Sequence, residues 1–174
     1  MKTLMDIQVE DSNILSSGQD VPNFSLAGTG KTLTALEAFK KSGHSRGLVL
    51  GPVISLQMWK EESEEWLGCK TQVLRAGNDI IDPSADLIVA PYDLAGQSMQ
   101  ARLYKEFTPI EGKTSALILD ESDRLRRATS KRACAVYGTR TDGRGGFMEN
   151  HDQVWHMTGN PVYRFHDDLW PMLH

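Results

Sequence analysis

Between Ser25 and Thr32 the chain reads Ser-Leu-Ala-Gly-Thr-Gly-Lys-Thr, which brings two glycines, a lysine and hydroxyls within reach of one anion. Gly28 and Gly30 let the backbone curl until successive N–H groups face inward. A helix opening at Lys31 adds the partial positive charge of its amino end. Lys31 would then reach the β- and γ-phosphates of a nucleotide, and the Thr32 hydroxyl would hold Mg²⁺. Gly28, Thr29, Gly30, Lys31 and Thr32 are thus the candidate phosphate-binding residues. One position departs from the Walker A pattern: Ser25 stands where its first glycine belongs. A left-handed backbone there would cost a residue with a Cβ ~1 kcal/mol or more.

A phosphate loop needs an acid at the end of a buried strand, and Leu117-Ile118-Leu119-Asp120-Glu121 supplies one. Asp120 can contact Mg²⁺ through its water shell, while Glu121 can orient and polarise an attacking water. Lys31, Asp120 and Glu121 are therefore the candidate catalytic residues.

The elements that must position these groups show in the hydrophobic pattern. Leu48-Val49-Leu50, Leu87-Ile88-Val89-Ala90 and Ala116-Leu117-Ile118-Leu119 are continuous apolar runs. Strands of that kind are buried on both faces and belong to parallel sheets. Between them, Thr32 to Ser42 carries apolar residues at helical spacing and stops at Gly43. Ser55 to Leu67 does the same, with Ser55 as N-cap and Gly68 just beyond. Its run Glu61 to Glu65 reads as a solvated face. Further helices are expected from about Tyr92 to Phe107 and from about Ala128 to Tyr137, with a loop over Gly138 to Gly146 and a strand over Gln153 to Met157. Strands alternating with helices predict an α/β fold with a mainly parallel central sheet.

Composition narrows the classes further. The 174 residues carry 19 Lys and Arg against 23 Asp and Glu, a net charge of −4. A chain built wholly around nucleic-acid charge neutralisation is excluded, though a local basic strip is not. Cys69 and Cys134 are too few for a disulfide framework or a protein-only zinc cage. No apolar run approaches the roughly 20 residues that span a bilayer, and Asp6 interrupts any signal-peptide core. A single soluble domain over 1–174, in the cytoplasm and with no membrane partner, is expected. His151 and His156 lack a nearby cysteine and do not read as a zinc site, while His44, His166 and His174 are expected to be exposed. Trp155, Tyr163 and Trp170 read as packing residues.

Taken in order, the segments resemble the first RecA-like lobe of superfamily-two helicases, specifically the Swi/Snf-type DNA translocases and their compact phage relatives. Leu4 to Gln8 is similar to the upstream segment whose glutamine recognises adenine, and Gln8 matches it. Ser25 to Thr32 resembles motif I. Leu48 to Pro52 with Ser55-Leu56 and Trp59 to Glu62 is similar to motif Ia, and Val89 to Tyr92 to the strand and helix start that follow it. Asp120-Glu121-Ser122-Asp123 resembles a DEAH-type motif II. Thr158-Gly159-Asn160-Pro161 resembles motif III, and Asp168-Leu169-Trp170 the helix after it. Two residues depart from that pattern: Asp123 where the family has His, and Asn160 where it has Thr.

The resemblance implies a three-layer RecA-like P-loop lobe using ATP and Mg²⁺. It implies that Asp123, Thr158, Gly159 and Asn160 relay nucleotide state. It also implies that Pro52 and Ser55 touch a nucleic-acid backbone, DNA by family. Arg124, at the head of the basic stretch Arg124 to Arg132, is a further candidate, although that stretch reads more simply as a solvated helix start. Asp123 adds negative charge beside the acid pair and is expected to weaken ATP binding unless Arg124 or another cation compensates. In the family a second RecA-like lobe supplies arginine fingers, worth ~10³–10⁵ in rate. No such lobe is expected within these residues, so the chain is expected to be a weak or inactive ATP hydrolase until a second lobe or partner joins it. The alternative is a non-catalytic nucleic-acid- or protein-binding module on a degenerate helicase lobe. An unrelated P-loop enzyme such as a small kinase has no use for the segments resembling motifs Ia and III.

Overall fold

The three aliphatic runs lie side by side because neither of their faces can be given to water. The structure, a computed structural model, describes residues 3–18, 22–26, 28–95, 103, 114–138 and 146–160. In chain order its helices and strands are α1 (Asp6–Leu15), β1 (Pro22–Asn23), α2 (Lys31–Ser42), β2 (Arg46–Gly51), α3 (Leu56–Leu67), β3 (Thr71–Val73), β4 (Leu87–Pro91), α4 (Tyr92–Ala95), β5 (Ser115–Asp120), α5 (Lys131–Tyr137) and β6 (Gln153–Met157). The sheet order is β1-β6-β5-β2-β4-β3, and every pairing is parallel.

Side chains alternate across the sheet, and each face has its own helical cover. Leu48, Leu50, Ile88, Ala90, Leu117, Leu119 and Val154 pack with Tyr92 of α4, Ala133 and Val136 of α5, and Phe147. Val49, Val89, Ala116, Ile118, Trp155 and Met157 pack with Leu15 of α1, Leu36 and Phe39 of α2, and Leu56 and Trp59 of α3. Each of these larger side chains gains roughly 1.5–3 kcal/mol by leaving water. The result is the expected three-layer α/β architecture.

The register brings the carboxyl ends of five strands to one edge. Gly51 lies opposite Pro91, Leu50 opposite Leu119, and Asp120 opposite Met157, which also faces Asn23. Ligands of open α/β sheets bind beyond that edge.

Several local expectations need correction. α1 and β3 were not anticipated. Ser55 does not cap α3: its backbone is already helical, and its hydroxyl donates to the Pro52 carbonyl at 3.1 Å, closing a 3₁₀ turn over Val53–Ser55. The last helix begins at Lys131 rather than Ala128, because the Ser130 hydroxyl accepts the Ala133 N–H and fixes the start. Within the acidic run of α3, Ser63 is fully buried and its hydroxyl lies 2.6 Å from that of Thr71. Phe24, placed ahead of the phosphate loop, is 37% exposed and lies outside β1. The expected helix beyond Ala95, most of the 138–146 loop, and Pro161, Tyr163, His166, Asp168, Leu169, Trp170 and His174 lie outside the described residues. Among the described residues no helix is long and apolar enough to cross a membrane.

Candidate functional site

The phosphate-loop segment leaves β1 at the carboxyl edge and enters α2 through two left-handed glycines, Gly28 (φ 81°) and Gly30 (φ 77°). Around Gly28 a side chain would meet nothing within 4 Å, so backbone conformation alone reserves that position for glycine. At Gly30 an added Cβ would strike Gln8 Nε2. Gln8 is buried on α1. Its Nε2 donates to the Thr29 carbonyl at 2.8 Å, with a longer contact to that of Gly30, and its Oε1 accepts the Met5 N–H at 2.8 Å. The Lys31 ammonium folds over the loop entrance and donates to the carbonyls of Ser25 and Leu26, both at 3.1 Å. Thr32 is buried in the first turn of α2.

The strain expected at Ser25 does not arise, since Glu121 is the one described non-glycine residue with positive φ. Ser25 instead ties the loop down. Its N–H donates to Asn23 Oδ1 at 2.9 Å and its hydroxyl to Asp11 Oδ2 at 2.9 Å. Asn23 Nδ2 donates to the same Asp11 oxygen at 3.2 Å. α1 therefore holds the loop at both ends, through Asp11 at the entrance and Gln8 at the exit. The two are three residues apart and share a helix face. Sequence reasoning missed Asp11 and Asn23, whose types carry no signal outside this contact.

The acid pair stands at the end of β5. Asp120 is 8% exposed, its Oδ2 accepts the Trp59 indole N–H at 3.0 Å, and its carbonyl accepts the Tyr92 hydroxyl at 2.8 Å. Gly51 crowds it from β2: a Cβ there would lie 3.1 Å from that of Asp120. Glu121 then turns left-handed (φ 51°, ψ 51°), a conformation that costs a non-glycine residue roughly 1–2 kcal/mol. Burial raises the Glu121 pKa, and the charges of Asp120 and Asp123 raise it further, while Lys31 and Arg124 pull it back. Asp123 and Arg124 thus act on this carboxyl in opposite directions.

The motif III-like segment reaches Asp123, three residues beyond Asp120, through one hydroxyl. Thr158 Oγ1 donates to Asp123 Oδ1 at 3.0 Å and accepts the Asn160 N–H at 3.1 Å, while the Thr158 N–H donates to the Asn23 carbonyl. Asp123 thus keeps a direct link to Thr158, and Asn160 joins through its backbone. Gly159 lies between them, half-buried.

The candidate nucleic-acid residues sit on the same edge. Pro52 and Ser55 bracket the 3₁₀ turn after β2, where Val53 and Ile54 are exposed by 64% and 90%. Arg124 is exposed, as are Arg126, Arg127 and Lys131. Arg132 is held by Asp93 through two contacts of 2.5 and 2.8 Å.

Among the described residues no group of three or more His, Cys, Asp or Glu could cage a metal. Mg²⁺ keeps several waters and takes one or two oxygen ligands plus substrate phosphates, and the Thr32 hydroxyl and the Asp120 carboxylate are donors of that type. His44, expected to be exposed, packs between Phe39 and Trp155, with ring centroids 6.0 and 5.8 Å away, and lies 2.6 Å from Gln153 Oε1. Burial lowers the His151 and His156 pKa values to about 4. Trp155 is a core residue, as expected.

No protein-family model matches the chain, and no curated protein matches it. Solved structures do. The SWI2/SNF2 ATPase core of Sulfolobus solfataricus in complex with dsDNA superposes with a TM-score of 0.78 at 19% identity, covering 99% of this chain and 35% of that one. The SWI2/SNF2 ATPase core domain of the same organism gives a TM-score of 0.76 at 18% identity, covering 99% and 34%. The chain therefore spans about a third of the length of the structures it matches. The all-parallel sheet and this partial coverage give the chain the fold of one RecA-like lobe, similar to part of a SWI2/SNF2 ATPase core.

Proposed function

We propose that this chain is the ATP–Mg²⁺-binding lobe of a helicase-like DNA translocase. The observation that carries the reading is the convergence, at one sheet edge, of the Lys31 loop with the Asp120–Glu121 pair, close enough for Lys31 to shift the Glu121 carboxyl. ATP–Mg²⁺, when bound, supplies the phosphoryl electrophile and the metal's charge neutralisation. Lys31 exchanges its contacts with the Ser25 and Leu26 carbonyls for phosphate oxygens, while the backbone of Gly28 to Gly30 wraps the anion. Thr32 and Asp120 would hold the Mg²⁺. Glu121 orients the attacking water and takes its proton. Gln8 carries adenine recognition into the loop that it already grips. Asp123, Thr158, Gly159 and Asn160 relay the nucleotide state to the rest of the enzyme.

Efficient turnover needs arginine fingers from a second RecA-like lobe, on whatever segment or partner that lobe is carried. Pro52, Ser55 and Arg124 would face the nucleic-acid backbone; dsDNA is the ligand in the similar Sulfolobus complex.

The test is thermal unfolding with and without ATP–Mg²⁺, followed by DNA-dependent hydrolysis with a second lobe added. A ligand at 100 times its Kd stabilises by about 2.7 kcal/mol. The expected result is a shift of that order, lost in Lys31→Ala. No shift at millimolar ATP–Mg²⁺ would favour the non-catalytic binding module.

A further inference from the structure

Asp120 is confined from two sides by groups that take no direct part in the proposed chemistry. Trp59, 1% exposed on α3, sends its indole N–H across the sheet edge to Asp120 Oδ2 at 3.0 Å. Tyr92, 3% exposed at the start of α4, donates its hydroxyl to the Asp120 carbonyl at 2.8 Å. The two helices lie on opposite faces of the sheet, so the acid is held from both layers at once. Trp59 fixes the carboxylate torsion. Among the described residues Oδ2 takes the indole N–H, and no hydrogen bond falls on Oδ1. Tyr92 fixes the plane of the peptide joining Asp120 to Glu121, the bond on which the left-handed turn at Glu121 depends.

We propose that Trp59 is a positioning residue for metal binding, presenting a single oxygen of Asp120 to Mg²⁺, with Tyr92 holding the same residue through its backbone. The inference deepens the nucleotide-lobe reading and rests on it. A carboxylate that turns freely can offer either oxygen or both. Held by an N–H donor, it offers one, and at a fixed angle. Donors behind a metal ligand are typically worth 10–100-fold in metal affinity.

The experiment is calorimetric titration of the full chain with ATP in Mg²⁺ and in EDTA, paired with direct Mn²⁺ binding followed by electron paramagnetic resonance. Trp59→Phe is expected to lose about 10–100-fold in Mn²⁺ affinity and in the metal-dependent part of ATP affinity. Binding in EDTA should stay unchanged, which a merely structural role would not allow, since a loosened lobe loses both. Tyr92→Phe keeps the buried ring and removes one hydroxyl. It should show the same selective loss to a smaller degree, and it carries the test if Trp59→Phe does not fold. Metal dependence intact in the wild type and unchanged in the variants would overturn the positioning role alone. A wild type that binds ATP with no metal dependence, or not at all, would remove the site reading and this inference together.

Discussion

Alanine at position 30 tests how α1 and the phosphate loop depend on one another. Gly30 sits at φ 77°, where a Cβ costs roughly 1–2 kcal/mol. The methyl would also displace Gln8 Nε2, breaking the 2.8 Å bond to the Thr29 carbonyl and pulling Oε1 from the Met5 N–H. Each of those bonds is worth a net ~0.5–1.5 kcal/mol, so Gly30→Ala should destabilise the ligand-free protein by about 2–5 kcal/mol. Gly28→Ala is the matched control. Its φ of 81° is equally unfavourable, yet nothing lies within 4 Å, so it should cost only the strain of roughly 1–2 kcal/mol. In a Gln8→Ala background the methyl at 30 has nothing to displace, and its cost should fall to that of the control. Urea unfolding followed by tryptophan fluorescence, in a double-mutant cycle, reads these differences directly. Equal costs for the two glycine variants, or a Gly30→Ala cost indifferent to Gln8, would refute the contact that ties α1 to the loop.

Other outcomes follow from charge and packing. The Glu121 pKa is raised above 4.5, so the native state binds its proton more tightly than the unfolded chain does. The associated stability is full below pH 4.5 and is lost as pH rises through the native value. Glu121→Gln should therefore raise the melting temperature at pH 7 and leave it unchanged at pH 3. His151 and His156 titrate near 4 when folded. They are neutral in the native state at pH 7, and the stability they contribute is lost as pH falls from 6.5 toward 4. Urea midpoints across that window should flatten in a His151→Gln, His156→Gln double variant. Thr158→Val removes the hydroxyl that joins Asp123 to Asn160. It should cost ~1–3 kcal/mol in chemical unfolding and lower DNA stimulation of hydrolysis, with ATP affinity unchanged.

What the sequence disclosed follows from how many faces each element buries. β2, β4 and β5 are covered on both sides, so their apolar runs are continuous and legible. The acid pair was found because it ends such a run. α1 was missed because its apolar residues point the wrong way: Ile7 and Ile14 are exposed by 57% and 51%, while Gln8 and Ser12 face inward. A helix whose buried side carries one apolar residue, Leu15, beside two polar ones has little hydrophobic period to read. β1 has two residues, too few to carry any pattern. Trp59 and Tyr92 showed only as a helix-face apolar residue and a helix start. Their contacts with Asp120 cross from one element to another, and no local spacing encodes them.

The sheet order also sets a timetable for synthesis. β1, which carries the phosphate loop, has one neighbour in the described sheet, and it is β6: Pro22 lies opposite His156. A nascent chain that has emerged from the ribosome through β5 already holds both acids and the middle of the sheet. The strand from which its loop hangs is still unpaired. Pairings between distant segments form late, because loop closure is paid before the contacts reward it. The loop's strand therefore gains its sheet partner only after β5 has been made. On the reading proposed here, bound ATP would mark chains whose β6 has been made and docked.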